Sequence, residues 1–172
     1  MESPSFAGGI ELMALTCSFK FNGKLRSFLT CHGLGSFPAY SGHGHCIDNP
    51  RCSDVPNIGP LPPGRYFILD RGGGGLLSHI RDRALAQLDY SDHRQWFALY
   101  RDDAHVDDVT FINGVRRGAF RLHPDGPLHY SEGCLTVAKR DDFDKIAKYL
   151  HKQGANLPTP AGMAYGSIEV RA

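Results

Sequence analysis

Several features that would assign this chain to a common protein class are missing. No run approaches the 18 or more apolar residues of a membrane span. The first residues lack the basic-then-apolar order of a signal peptide, so export through the Sec pathway is not expected. An excess of one charge is also missing, because 19 basic and 18 acidic residues give a formal net charge of +1. A binding surface for nucleic acid is therefore not expected.

The composition that remains is that of a globular protein rich in turns. Hydrophobic residues make up 41% and charged residues 22% of the 172 positions, which is ordinary globular usage. The 20 glycines and 11 prolines exceed the usual combined share of roughly 12% and favour short strands joined by many turns. The length suits one domain. We expect a loose extension over residues 1–12 and a single domain over residues 13–172.

The first ordered element is predicted to be a β-hairpin. The segment LTCSFKFNGKLRSFLTC alternates polar and apolar residues on either side of Asn22-Gly23, a pair that tolerates the positive φ of a tight hairpin turn. A two-residue turn there makes facing residue numbers add up to 45. Cys17 then faces Phe28, so it is expected to be an ordinary core residue that is not the partner of Cys31.

Further patterns predict a mainly β (α+β) fold. Residues 32–64 are rich in Gly, Pro, Asn and Ser and are expected to form a long surface loop. Residues 72–75 are predicted to be a glycine turn and 76–88 a helix. A second helix over 142–151 is predicted from its apolar spacing, with Asp141 or Asp142 as its cap and Gly154 just past its end. Strands are predicted at residues 65–69, 96–100, 109–112, 119–122 and 167–170.

One stretch combines residues that could carry chemistry. In FRLHPDGPLHYSEGCLTV, His123 ends a strand and Cys134 follows a loop. A thiol needs a neighbouring imidazole or positive field to become a nucleophilic thiolate at neutral pH. Gly133 would let a substrate carbonyl approach the backbone, and Ser131 would either hydrogen-bond the thiolate or brace the loop. The alternative is that Cys134 is a small buried hydrophobic residue.

Three motifs in order resemble the L,D-transpeptidase effectors that are delivered by type VI secretion. Glu132 stands where L,D-transpeptidases commonly have a second histidine, and the gap between His123 and Cys134 is shorter than usual. Both departures from the common pattern resemble this diverged branch. The resemblance spans roughly residues 40–150. The motifs are Tyr40-Ser41-Gly42, Gly59-Pro60-Leu61-Pro62-Pro63-Gly64-Arg65-Tyr66, and His123-Pro124 before Ser131-Glu132-Gly133-Cys134.

The resemblance implies a fold, a reaction and a setting. The fold would be a β-sandwich or mixed sheets with a helix after the cysteine. Cys134, with His123 as its base, would attack the L-centred carbonyl before the terminal D-Ala of a peptidoglycan tetrapeptide. Water would then give L,D-carboxypeptidase activity, and a D-amino acid would give exchange; no cofactor is expected. The protein would be made in the cytoplasm, act as a toxin in the periplasm of a target bacterium, and have a type VI apparatus component and an immunity protein as partners.

Other polar residues are candidates for substrate binding. Tyr40, Ser41 and the loop that begins at Gly42 are expected to wall the cleft. Arg121 or Arg65 would meet a substrate carboxylate. His129 is a rival base, and either Asp125 or a backbone carbonyl would orient His123.

A second cluster of soft ligand types offers a non-catalytic alternative. His43, His45, Cys46 and Cys52 lie within ten residues and could be imagined around zinc. Zinc sites usually repeat a tight ligand pair at each end, and here Cys52 stands alone. We therefore expect no metal, and a Cys46–Cys52 disulfide in an oxidising compartment. The rival function is a binding domain with a buried, inert Cys134 and a metal or partner at this cluster.

Overall fold

A computed structural model describes residues 13–71 and 96–172. Over these residues the chain forms short strands and one α-helix, together with two 3₁₀ turns at Gly44–Cys46 and Pro50–Cys52. The elements are β1 (Leu15–Lys20), β2 (Ser27–Cys31), β3 (Gly35–Ser41), β4 (Gly64–Asp70), β5 (Phe97–Arg101), β6 (Val109–Ile112), β7 (Val115–Gly118), β8 (Arg121–Pro124), β9 (Leu135–Val137), α1 (Arg140–Gln153), β10 (Leu157–Thr159), β11 (Gly162–Ala164) and β12 (Gly166–Arg171).

Eight of these strands close into a barrel in the order β1-β12-β4-β5-β8-β9-β3-β2. Two neighbouring pairs, β1 with β12 and β8 with β9, are parallel, and the other pairs are antiparallel. The prediction of a mainly β fold is confirmed. Of the two expected arrangements, a mixed sheet forms and a sandwich does not, because this sheet closes on itself and so leaves no unpaired edge. Two ribbons, β6 with β7 and β10 with β11, lie outside the barrel.

Every second side chain along the strands points into the barrel and fills it, and α1 packs against part of this apolar core. Phe143, Ile146 and Leu150 fall on one face of α1 and are fully buried, and this face joins the same apolar cluster as β8 and β9. The helix predicted over 142–151 is confirmed, but the cap assignment is wrong. The residue that caps α1 is Lys139, and it makes no side-chain capping bond. Asp141 and Asp142 instead lie in the first turn, where the helix dipole favours negative charge.

The hairpin forms, but in a different register from the predicted one. Cys17 pairs with Cys31, so facing numbers add up to 48, and the two cysteines form a disulfide. The turn is wider than two residues because the Asn22 side chain organises it. Its amide oxygen accepts the Lys24 N–H at 2.9 Å, and its amide nitrogen donates to the Arg26 carbonyl at 2.8 Å. The prediction that Cys17 is not the partner of Cys31 is wrong.

The long loop predicted over 32–64 contains a strand. Residues Gly35–Ser41 form β3, which pairs with β2 on one side and β9 on the other. The Gly, Pro and Ser residues of this segment have a weak local preference for β-strand, so the sequence does not reveal it. The strand forms because tertiary pairing on both edges overrides that preference. Ala119 is also not part of a strand: its φ of +56° breaks the extended backbone, so β8 begins at Arg121.

The other predicted strands lie within β4, β5, β6 and β12. The extension over 1–12, the turn over 72–75 and the helix over 76–88 fall outside the described residues. No helix in the described part of the chain is long and apolar enough to span a membrane.

Candidate active site

The parallel pair of β8 and β9 sets the geometry of the candidate site. Leu122 faces Leu135, and both side chains are fully buried inside the barrel. Because side chains alternate along a strand, the next pair, His123 and Thr136, points to the opposite face. Cys134 comes one residue before β9, so alternation puts it on that same face, diagonal to His123. The predicted base therefore lies on β8 and the predicted nucleophile immediately before the neighbouring strand β9.

His123 is held by a backbone carbonyl. Its Nδ1 atom lies 2.8 Å from the Pro124 oxygen, and since a carbonyl only accepts hydrogen bonds, Nδ1 must carry the proton. Nε2 is then the basic atom of the neutral ring, 3.4 Å from Thr136 Oγ1. The ring is buried and stacks on Trp96, with centroids 4.2 Å apart and an interplanar angle of 19°. Of the two orienting groups left open by the sequence, the carbonyl is the one in contact.

The Cys134 sulfur lies against the backbone that leads into β8. It is 3.8 Å from the Ala119 oxygen. Burial raises the pKa of the Cys134 thiol to about 11, while the Arg121 N–H and the Arg121 guanidinium charge act in the opposite direction. The resting residue is therefore a protonated thiol, and a base must remove its proton before it can attack a carbonyl.

Two buried hydroxyl groups hold the main chain of Cys134. Its carbonyl accepts hydrogen bonds from Ser131 Oγ at 2.7 Å and Ser41 Oγ at 2.8 Å. Ser41 Oγ also accepts the Leu61 N–H at 2.7 Å. Of the two roles considered for Ser131, bracing the loop is the one that the structure has. Ser41 is fully buried and likewise braces the backbone instead of walling an open cleft.

Gly133 is required by its conformation and its surroundings. Its φ is +109°, and a Cβ at this position would be 2.7 Å from a guanidinium nitrogen of Arg117. Arg117, on β7, is buried and donates to the carbonyls of Ser53, Gly59 and Pro60. Nothing in the sequence marks Arg117 as a buried residue, because VRRG gives no sign that one of its arginines turns inward. Thr136 was missed as well, although a polar residue between Leu135 and Val137 is a detectable signal.

The loop over residues 42–63 is packed tightly beside Ser41. Gly42 has a φ of +77°, and a Cβ there would come within 2.8 Å of the Ile58 oxygen. Asp48 is fully buried, and its Oδ1 accepts the Ser41 N–H at 2.9 Å. Burial raises the pKa of Asp48 to about 6, although the Ser41 N–H and the nearby Ser27 act in the opposite direction.

Tyr40, Asp125 and His129 form a separate hydrogen-bonded group. The Tyr40 hydroxyl donates to Asp125 Oδ1 at 2.7 Å, and Asp125 Oδ2 lies 2.8 Å from His129 Nδ1. Both oxygens of the carboxylate are thus engaged by Tyr40 and His129. Burial, followed by the Asp125 hydrogen bond and charge, raises the pKa of Tyr40. The His129 side chain is 74% exposed.

The two candidate arginines differ in what they contact. The Arg121 guanidinium binds both carboxylate oxygens of Asp108, at 2.6 and 2.7 Å, and also donates to the Phe120 carbonyl at 2.7 Å. Arg65, on β4, is exposed and lies 3.8 Å from an Asp102 oxygen. Arg121 therefore supplies charge near Cys134 while its own donors are occupied.

The cysteines of the loop are joined to each other. Cys46 and Cys52 form a disulfide in the structure, and disulfide sulfurs are not the thiolates that ligate zinc. The His45 ring lies beside them, with its ligand atom and both sulfurs within 4.8 Å of one another. His43 is turned away, with Nδ1 3.1 Å from the Ser131 oxygen. Cys134 is the free cysteine of the described residues.

Comparison with known proteins identifies the family. No curated protein matches the chain. Among solved structures, the chain is similar to L,D-transpeptidase 1 of Mycobacterium tuberculosis, with 14% identity and a TM-score of 0.34 over 92% of this chain. The match covers 62% of that solved chain. The sequence pattern of the Tlde1 domain matches residues 35–160, well over half of the chain. The chain therefore belongs to the Tlde1 domain family, a family of type VI secretion effectors.

Proposed function

We propose that this protein is a cysteine-nucleophile enzyme that removes the terminal D-Ala from peptidoglycan tetrapeptide stems or exchanges it for another D-amino acid. The observation that carries the proposal is the shared face of β8 and β9. There a free thiol lies diagonal to an imidazole whose Nδ1 atom is fixed by the Pro124 carbonyl. An orienting hydrogen bond of this kind is what a thiol–imidazole pair needs to act as nucleophile and base.

The mechanism begins from the thiol form of Cys134. His123 Nε2 takes the thiol proton as the sulfur attacks the L-centred carbonyl, and the Arg121 N–H and charge stabilise the developing thiolate. Collapse of the tetrahedral intermediate breaks the peptide bond, and the imidazolium returns the proton to the leaving D-Ala amine. Water, or the amine of a D-amino acid, then attacks the thioester and frees the thiol. The first route is hydrolysis, and the second is exchange.

The family supplies the setting of the proposed activity. An effector delivered by type VI secretion would act on a target cell with a secretion-apparatus component and an immunity protein as partners. The bacterial periplasm is oxidising, which suits a chain with two internal disulfides, Cys17–Cys31 and Cys46–Cys52. Peptidoglycan stems are exposed in that compartment, so the proposed substrate and the proposed site of action agree.

Mass analysis of purified muropeptides tests the reaction. The protein should remove D-Ala from tetrapeptides and act poorly on pentapeptides, because the attacked carbonyl needs one residue beyond it. Glycan strands should stay intact, since no paired carboxylates of a glycosidase are evident. Cys134→Ala and His123→Ala should each abolish turnover with an unchanged circular dichroism spectrum. Full activity in either variant, or cut glycan strands with unchanged stems, overturns the assignment.

One observation favours the alternative of a non-catalytic binding domain. Burial raises the pKa of the Cys134 thiol to about 11, as is typical of inert buried cysteines. Slow alkylation by a thiol reagent near neutral pH is therefore expected under both functions. Product formation is what separates them: a binding domain releases no D-Ala at any enzyme concentration.

A further inference from the structure

A groove of about 610 Å³ opens beside the candidate active site. It lies between the β1–β2 turn, β3 and the segment that follows β8. The residues that line it are Lys24, Leu25, Arg26, Tyr40, Ile47, Asp125 and His129. We propose that this groove is a binding subsite for the free carboxylates of the peptide whose bond Cys134 attacks, a subsite that rests on the proposed function and extends it.

The groove is continuous with the face that carries His123. Tyr40 on β3 pairs with Thr136 on β9, and Thr136 pairs with His123 on β8. The row one residue away, which includes Leu122 and Leu135, is buried inside the barrel, so these three side chains share the outer face. Thr136 lies between the other two, with its Oγ1 atom 3.4 Å from His123 Nε2. The groove wall at Tyr40 and Asp125 therefore lies next to His123, which Asp125 follows by two residues.

The distance between the two places suits a short peptide. Cys134 precedes Thr136 by two residues, a step of roughly 7 Å along a strand, and Tyr40 in the groove wall lies one strand spacing of about 5 Å to the side. An extended peptide covers the resulting separation of roughly 8–9 Å with two to three residues. When the attacked carbonyl lies at the Cys134 sulfur, the second or third residue before it in the donor peptide therefore reaches the mouth of the groove.

The charges in the groove favour an anionic ligand. Lys24 and Arg26 are exposed and form no ion pair with any described residue. The carboxylate of Asp125, which contacts Tyr40 and His129, supplies at most one negative charge beside them, so the two cations leave the groove with an excess of positive charge. Arg26 lines the groove together with Tyr40, and its charge opposes the larger effect of burial on the pKa of Tyr40. Two unpaired cations beside a hydrogen-bonded wall are suited to peptide carboxylates.

Apolar contacts complete the subsite. Leu25 is 73% exposed and stands between the two cations in the sequence, and Ile47 lines the same groove. These side chains offer a surface for the methylene groups of a ligand, while Lys24 and Arg26 reach its carboxylates. The chemical class is therefore a short peptide with side carboxylates on an aliphatic chain, as in the peptidoglycan stem.

Binding to an inactive protein tests the subsite separately from the reaction. In a Cys134→Ala background, isothermal titration calorimetry measures the dissociation constant of the free stem tetrapeptide and of the same peptide with its side carboxylates amidated. We expect Lys24→Ala with Arg26→Ala to weaken binding of the acid peptide about tenfold and to leave the amidated peptide unchanged. The matched control, Lys20→Ala with Arg116→Ala, removes two exposed cations outside the groove and should change neither value.

The outcomes keep the two proposals apart. An equal loss of affinity for both peptides, or no loss for the acid peptide, overturns the subsite even if the wild-type protein turns the tetrapeptide over. Charge-dependent binding of a peptide that the wild-type protein never converts supports the subsite and overturns the proposed reaction. Thermal unfolding of each variant checks that the exposed turn has been changed without loss of the fold.

Discussion

Two histidines six residues apart lie in opposite surroundings. His123 is buried, stacked on Trp96 and hydrogen-bonded through Nδ1 to a backbone carbonyl. His129 is 74% exposed, with Nδ1 on the carboxylate of Asp125. His129 therefore has the carboxylate partner that is often associated with a catalytic base, while His123 lies on the face of β8 and β9 toward which strand alternation directs Cys134.

The comparison shows that the hydrogen-bond partner of a histidine does not by itself identify the catalytic base. A carbonyl fixes the Nδ1–H tautomer as well as a carboxylate does, and it adds no negative charge beside a nucleophile that must become a thiolate. Burial keeps the His123 ring in one orientation, whereas His129 is held at one end and solvated at the other. In the proposed mechanism the base is therefore His123, and His129 belongs to the proposed carboxylate-binding groove.

The most direct way to break this comparison is to replace each histidine by glutamine. His123→Gln removes the only proposed acceptor for the thiol proton, so kcat should fall by roughly 10²–10⁴. His129→Gln should leave kcat within about threefold and raise KM modestly. Both values come from D-Ala release measured on purified tetrapeptide muropeptides. A larger loss of kcat in the His129 variant would exchange the two assignments.

The two disulfides extend the comparison to stability. Cys46–Cys52 closes the loop that contains Asp48. Asp48 accepts the Ser41 N–H, and the Ser41 hydroxyl donates to the Cys134 carbonyl. The second disulfide, Cys17–Cys31, joins β1 to β2 in the barrel wall. Replacing either pair by serines should lower the free energy of unfolding by about 2–4 kcal/mol. Only the 46/52 pair should also lower kcat at a temperature where both variants are folded. Urea unfolding and D-Ala release measure the two effects.

An equal fall in kcat for both pairs, at matched folded fraction, would mean that the loop has no special role. Mass analysis of the oxidised wild-type protein under non-reducing conditions is the control, and it tests the predicted Cys46–Cys52 link directly. Two free thiols at these positions would contradict that prediction.

The charge near the thiol can be changed while the histidines are kept. Arg121→Met removes the positive charge that opposes the raised pKa of Cys134, so the thiolate fraction at pH 8 should fall. Alkylation by iodoacetamide should then slow by about three- to tenfold. Arg121→Lys keeps the charge, although it cannot bind Asp108 with two parallel hydrogen bonds, and should slow alkylation less. Equal rates in the two variants would show that the charge has no influence on the sulfur.

The smallest expected effect concerns the buried carboxylate of Asp48. Its pKa is about 6 in the fold against an ordinary value of 3.8, so the folded state binds more protons than the unfolded chain between these values. The free energy of unfolding should therefore decrease as pH rises from about 4 to about 6, by roughly 1–3 kcal/mol. Asp48→Asn should flatten this dependence, because the amide does not titrate.

The unpaired oxygen of Asp48 supports the choice of asparagine. Its Oδ2 atom is buried without a hydrogen-bond partner among the described residues, so the Asn oxygen can accept the Ser41 N–H while the amide nitrogen takes the unpaired position. The exposed Asp141→Asn is the control and should leave the slope unchanged. Urea unfolding at pH 4, 5 and 7 measures the free energy of unfolding. A pH dependence that Asp48→Asn does not alter would contradict the raised pKa of Asp48.

Local signals in the sequence were sufficient for several elements. The apolar spacing after Cys134 predicts α1, and the runs around Phe67, Leu99, Thr110 and Ile168 predict strands that form. His123 and Cys134 are eleven positions apart, so a single loop can bring the two side chains together. Regular periodicity and sequence proximity are properties of the chain itself, so they can be read before any fold is known.

Register and hidden strands could not be read in the same way. Asn22-Gly23 predicts a tight turn, yet side-chain hydrogen bonds of Asn22 widen it and bring Cys17 opposite Cys31. β3 is concealed by Gly, Pro and Ser and forms because it has a partner on both edges. Such outcomes depend on contacts between distant segments, which a local pattern does not contain.

The sequence by itself determined the mainly β character, the helix after the cysteine and the candidate pair of Cys134 and His123. Only the folded chain shows that the sheet closes and that Pro124, not Asp125, orients His123. It also shows that Ser41 and Ser131 hold the Cys134 carbonyl. Arg117 turns inward for the same reason, because its partners are distant in the sequence. The physical reason is the range of the interactions. Backbone preference and apolar periodicity act between near neighbours, whereas buried hydrogen bonds and charges are satisfied by whichever distant groups the folded chain brings together.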